Sequence, residues 1–252
     1  MRNYVTGILV FALAVILVVA GLFVYGLLFP QPGQTVDSEN WAGYIDQTTV
    51  SSANGSITLP SASDWQGTGT AALWVGMGGS SRLGSTQWPF WQAGATVSCS
   101  QLGCSVTLFD EGGTQGPPCN GVCPANWTNT FAASLGDTIT IEVSGSSTGA
   151  LAVITVDENG FNTTYHPPAW TPLAGVTSFP SSEWIFESPE SPHGGMMVMP
   201  SLTPPGAVFS SVSDSAGLSV MGNVQMQGNP NGQSVHISPF DSNSFSAYSY
   251  AG

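Results

Sequence analysis

Beyond about residue 36 the chain reads as one short strand after another, with no convincing amphipathic helix, which restricts it to an all-β architecture. Thr138-Ile139-Thr140-Ile141-Glu142-Val143-Ser144 alternates with period two directly after a Gly136-Asp137 turn. Leu151 to Val156 is a continuous apolar-rich run, stopped by the turn cluster Asp157-Glu158-Asn159-Gly160. Ala207-Val208-Phe209, Leu218-Ser219-Val220-Met221, Val235-His236-Ile237 and Phe245-Ser246-Ala247-Tyr248 are further short candidates. Strands punctuated in this way by Gly, Pro and Ser predict an antiparallel β-sandwich.

Charge narrows the function classes. The chain carries 2 Lys+Arg against 15 Asp+Glu, and only 7% of its residues are charged, where roughly 25% is ordinary. Two arginines, Arg2 and Arg82, cannot displace phosphate counterions, so nucleic-acid binding is excluded. Acidic substrates and anionic membrane surfaces are disfavoured for the same reason. So few ionisable groups also mean that acidification changes little, which suits either acid working conditions or a neutral secreted surface. With 42% hydrophobic residues and 8 Trp the chain can build a large core, and global disorder is not expected.

Residues 7–29, GILVFALAVILVVAGLFVYGLLF, carry no charge and are long enough to cross ~30 Å of hydrocarbon. Arg2 before them favours a cytoplasmic N-terminus and an exported remainder. No small-residue cleavage site follows, which favours an uncleaved transmembrane anchor at residues 1–29 over a signal segment whose cleavage would leave the rest of the chain secreted. Residues 30–37 then form a linker and residues 38–252 one domain, expected to be extracytoplasmic and monomeric. Cys99, Cys104, Cys119 and Cys123 are even in number and exported, which predicts two disulfides of undetermined pairing. The other reading, a four-cysteine zinc site, has loose ligand spacing. Asn54, Asn126 and Asn162 begin N-x-[ST] sequons.

No G-x-S-x-G, H-E-x-x-H or P-loop motif occurs, and nothing calls for a metal or cofactor. Three apolar-rich segments stand out instead: Leu73-Trp74-Val75-Gly76-Met77-Gly78-Gly79, Phe90-Trp91-Gln92-Ala93-Gly94 and Ser182-Glu183-Trp184-Ile185-Phe186-Glu187. In the third, period two puts Glu183, Ile185 and Glu187 on one face and Trp184 and Phe186 on the other. If the aromatics fill the core, the glutamates face solvent or a groove. Taken alone, each segment reads as ordinary strand: Gln92 and the glutamates as solvated residues, Trp74 as packing.

Their order is more informative. Asn40-Trp41-Ala42-Gly43-Tyr44, Trp74-Val75-Gly76, Gln92-Ala93-Gly94, Gly136-Asp137-Thr138-Ile139 and Glu183-Trp184-Ile185-Phe186-Glu187 follow one another, with Pro205-Gly206-Ala207-Val208-Phe209 and a terminal Ser-Phe-x-x-Tyr strand behind them. Across residues 38–250 this resembles the glutamic peptidase family, the eqolisins, which are pepstatin-insensitive acid proteases. The resemblance implies a bent, concanavalin-like sandwich of two antiparallel sheets with the site on a concave face. It implies that Gln92 and Glu183 are the catalytic glutamine and glutamate and that Trp74 lines the substrate cleft. Polypeptides would then be the substrates. A carboxylate base would activate water and later protonate the leaving amine, and the glutamine would orient the water and stabilise the oxyanion. The chain departs from the family pattern where acidic residues are expected, near Gly78 and Thr96. The aromatic-acidic stretch after Gln92 is reduced to Phe109-Asp110-Glu111.

Two other readings compete. One is a non-catalytic surface sandwich that binds carbohydrate or protein, with Trp65, Trp88, Trp91 and Trp170 exposed for sugar stacking. The other is a glycosidase using Glu183 and Glu187. Four residues apart on one strand face, these lie about 13 Å from each other, too far for either carboxylate geometry.

Overall fold

The structure is a computed structural model that describes residues 35–79, 89–114, 121–122, 126–128, 133–191, 194–218 and 221–251. The strands, in chain order, are β1 (Thr35–Ser38), β2 (Trp41–Asp46), β3 (Ser52–Thr58), β4 (Trp65–Gln66), β5 (Gly69–Met77), β6 (Phe90–Ser100), β7 (Gly103–Thr114), β8 (Gly121–Val122) and β9 (Asn126–Thr128). They continue with β10 (Thr138–Ser146), β11 (Gly149–Glu158), β12 (Phe161–Tyr165), β13 (Ser182–Glu187), β14 (Ser201–Leu202), β15 (Ala207–Asp214), β16 (Met221–Met226), β17 (Gln233–Ile237) and β18 (Phe245–Ala251).

Two large sheets result. The first runs β1-β16-β2-β13-β5-β6-β7-β8, with β9 also on β7, and the second runs β12-β11-β10-β3-β15-β18-β17. Every pairing is antiparallel except β1 on β16. Among the described residues there are only two single-turn 3₁₀ helices, as the sequence pattern implies.

The second sheet follows the alternation expected of a strand with one wet face. Ile139, Ile141 and Val143 of β10 are fully buried, while the residues between them reach solvent. The outer face carries paired hydroxyls, Ser56 with Thr140 (2.8 Å) and Thr155 with Thr164 (3.1 Å), the kind of cross-strand pair that stabilises a sheet. The centre of the first sheet is different. β13, β5 and β6 are buried on both faces along most of their length, which is why they read as continuous apolar runs. Their inner faces give Trp184, Phe186, Val75, Met77, Trp91 and Ala93 to the core between the sheets. Their outer faces join a smaller cluster of Trp41, Ile45, Ala72, Trp74, Phe109, Ile185 and Val224. A second apolar cluster therefore lies on the side of the first sheet away from the second, and the chemistry-bearing residues stand on that face.

Several expectations change. β1 begins at Thr35, so the end of the stretch read as linker already belongs to the sandwich, tied to Asn223–Met226. Trp65 and Trp91 are buried core residues and Trp170 packs against the core, so these three are not a sugar-stacking surface; Trp88 lies outside the described residues. The Leu218–Met221 candidate is described only at its ends, and β16 starts at Met221. Cys99 and Cys104 form a disulfide across β6 and β7, which removes both from any zinc site. Cys119 and Cys123 lie outside the described residues, as does the anchor expected at 1–29. Among the described residues no helix is long and apolar enough to cross a membrane.

Candidate active site

The geometry of the site follows from the register of four strands. Glu183 of β13 pairs with Gly76 of β5, Gly76 with Gln92 of β6, and Gln92 with Glu111 of β7. Residues directly opposite one another in antiparallel strands point to the same face. Glu183, Gln92 and Glu111 therefore stand in one row on the outer face of the first sheet, with Gly76 contributing no side chain between the first two. Two strand spacings separate the Glu183 and Gln92 backbones, roughly 10 Å, a gap that two convergent side chains can close around a small molecule. The next row is Ile185, Trp74, Gly94 and Phe109, and the one after it Glu187, Ala72 and Thr96.

Trp74 occupies the space that glycines leave. A Cβ on Gly76 would lie 2.9 Å from Trp74 Cζ3 and 3.1 Å from Gln92 Cβ. A Cβ on Gly94 would lie 2.6 Å from Trp74 Cβ. The indole thus leans over Gly76, between the two members of the row, and packs edge-on against Trp41 at 5.3 Å between ring centroids. Its far end donates its N–H to Glu187 Oε2 at 2.6 Å. The other Glu187 oxygen accepts from Asn40 Nδ2 at 3.1 Å.

The site is more enclosed than the sequence suggests. Glu183 and Trp74 have no exposed surface and Gln92 is 8% exposed. Glu183 accepts the Ser181 hydroxyl on Oε1 at 2.5 Å, and Gly79 sits beside its other oxygen. The Gln92 amide donates through Nε2 to Glu111 Oε2 at 3.1 Å. That bond orients the amide, which leaves Oε1 and one N–H of Gln92 for other partners.

Two carboxyls here are shifted far from their ordinary values. Burial pushes Glu111 up to about 7, against the hydrogen bond from Gln92, which lowers it. Burial also pushes Glu187 up to about 7. The indole N–H groups of Trp74 and Trp41 lower it, and the charges of Glu111 and Glu190 raise it.

A stability profile follows from these shifts. Between 4.5 and about 7 the folded protein holds protons that the unfolded chain releases. The melting temperature is thus expected to be highest below about pH 4.5, to fall as pH rises toward 7, and then to level off. Thermal unfolding at half-unit pH steps checks this. The slope should shrink in Glu111→Gln and Glu187→Gln, and a profile that rises with pH would contradict it.

The structure therefore places Gln92 and Glu183 in one row across Gly76, with the Trp74 ring over that glycine. It adds Glu111 and Glu187, which the sequence reading either left unassigned or treated as solvated. The signal for Glu111 was present. Ser100 pairs with Gly103 across a two-residue turn, and counting back along both strands from that turn sets Gln92 opposite Glu111.

The pattern of the Peptidase A4 family matches residues 39–238, most of the described sandwich and the whole row. The chain belongs to this family, the glutamic peptidases or eqolisins. It is accordingly a glutamic endopeptidase. Among solved structures the peptidase is similar to scytalido-glutamic peptidase bound to a transition-state analogue inhibitor, at 19% identity and a TM-score of 0.59. That alignment covers 83% of this chain and 97% of the other. It is also similar to SCP-B, an eqolisin in complex with the tripeptide Ala-Ile-His, at 16% identity and a TM-score of 0.53 over the same shares. Both likenesses bear on the fold and establish the eqolisin sandwich for this chain. No curated protein sequence matches the peptidase.

Proposed function

We propose that the peptidase cleaves polypeptides at acid pH through a water molecule held between Glu183 and Gln92. The observation that carries this reading is the shared row, in which Gly76 alone separates the two strands that present them. Glu183, as carboxylate, takes a proton from the water as it attacks the scissile carbonyl, and returns that proton to the leaving amine. Gln92, with one N–H engaged by Glu111, points its remaining N–H toward the oxygen that becomes negative in the tetrahedral intermediate. Its carbonyl oxygen accepts a hydrogen bond from the attacking water. Trp74 gives the peptide an apolar wall beside the reacting carbonyl.

Acid working conditions fit the surroundings. Below about pH 7 Glu111 and Glu187 are neutral, so neither places a negative charge near the Glu183 carboxyl. Above that range Glu111 and Glu187 add negative charge to the site. We further propose that the catalytic domain works outside the cytoplasm, tethered by residues 7–29.

Digestion of denatured casein by the full chain in detergent, from pH 1.5 to 7 with pepstatin present, tests the proposal. Acid-limited, pepstatin-resistant cleavage that disappears in Glu183→Gln and in Gln92→Ala is expected. Equal cleavage by wild type and both variants would refute the dyad.

A further inference from the structure

We infer that Glu187 is a positioning residue of the same site, acting on the catalytic row through the indole of Trp74. The inference rests on the dyad reading above. Trp74 bridges two places: its N–H end is held by Glu187 at 2.6 Å, while its Cζ3 edge lies over Gly76, between Glu183 and Gln92. Any rotation of the ring about its Cβ moves that edge into or out of the space where the water must sit. Packing limits the rotation on one flank, because Gly94 lies directly against Trp74 Cβ and Trp41 meets the ring edge-on. The hydrogen bond to Glu187 fixes the remaining freedom. A buried hydrogen bond of this length to a carboxyl group is among the stronger directional contacts a side chain can make.

Glu187 is itself held. Asn40 Nδ2 occupies its second oxygen, and the Ser38 hydroxyl sets the Asn40 amide by donating to Oδ1 at 3.2 Å. Ser38 Oγ also accepts from the Trp41 backbone N–H at 3.2 Å. The indole is thus tied through Glu187 to the bend where the chain enters the sandwich. The charged groups that act on Glu187 are Glu111 from β7 and Glu190 just beyond β13, both acidic. The groups from β2 and β5 that touch it, Trp41 and Trp74, are neutral donors. When Glu187 takes up a proton, the new O–H needs an acceptor, and rotation of the Asn40 amide supplies one while the Trp74 bond is kept.

The test combines kinetics with a spectroscopic signature of Trp74. In ¹⁵N-Trp-labelled full-length protein the Trp74 indole N–H is the cross-peak lost in Trp74→Phe. It should lie downfield and titrate with a midpoint near 7, and the titration should vanish in Glu187→Gln. In peptide cleavage at acid pH, Glu187→Ala should lower kcat/KM on the order of 10²-fold, the scale of a misplaced reacting group. Glu187→Gln keeps an acceptor for the indole and should stay within about threefold of wild type. If Glu187→Ala fails to fold, the Glu187→Gln rescue and the Trp74 titration still decide. A Trp74 peak indifferent to Glu187, or full activity in Glu187→Ala where Glu183→Gln is inert, overturns the inference and leaves the dyad standing. A wild-type protein that cleaves no peptide refutes both.

Discussion

Glu183→Gln should abolish acid proteolysis, lowering kcat on the order of 10³-fold, while the protein stays folded. The substitution keeps the shape of the side chain and an acceptor for the Ser181 hydroxyl on Oε1, so the row is preserved. It removes the carboxyl that the row sets across Gly76 from Gln92. Neither of the other two carboxyls can replace it: Glu111 is committed to the Gln92 amide and Glu187 to Trp74. Initial rates on a quenched-fluorescence peptide at pH 3 to 5, with unfolding measured in parallel, check the expectation. Residual activity within tenfold of wild type would mean that another group accepts the proton.

Gly76→Ala should be nearly as damaging, although it removes no chemical group. The added Cβ would sit 2.9 Å from Trp74 Cζ3 and 3.1 Å from Gln92 Cβ. Trp74 is fully buried, so its ring has nowhere to retreat without disturbing Trp41 or the Glu187 hydrogen bond. Gln92 is the softer neighbour and would be pushed along the row, away from Glu183. Displacements near 1 Å at a reacting centre cost about 10² in rate, whereas overpacking costs about 1–3 kcal/mol of stability. The expected variant is folded, with a lowered melting temperature, and loses far more activity than the change in folded fraction explains. Wild-type kcat in this variant would show that the space over Gly76 is not used by the reaction.

The strands were legible because their chemistry is local. The alternation in 138–144 and the split of Glu183, Ile185 and Glu187 from Trp184 and Phe186 follow from the two-residue period alone, and both are observed. Which strands lie side by side is not local. β13 inserts between β2 and β5, more than a hundred residues away in sequence, and only that insertion sets Glu183 beside Gly76. The motif order reached the right residues through resemblance, without the register that explains why a glycine must separate them. Glu111 was readable in principle from the tight turn at Gln101-Leu102, whose flanking Cys99–Cys104 pair fixes the same register. Glu187 read as a solvated carboxylate because the sequence shows no second layer over the outer face. The indoles of Trp74 and Trp41 that meet it come from β5 and β2. The carbohydrate reading failed for the opposite reason: Trp65 and Trp91 carry the composition of a sugar platform but are buried inside the sandwich.

The central claim is that Glu183 and Gln92 act as one unit. A double-mutant cycle on kcat/KM, using Glu183→Gln, Gln92→Ala and the double variant against one peptide at one acid pH, tests it most directly. Members of a catalytic unit are strongly non-additive, so the double variant should be no more impaired than the worse single variant. Losses that multiply across the two positions would show that the residues contribute independently and would contradict the shared-water mechanism.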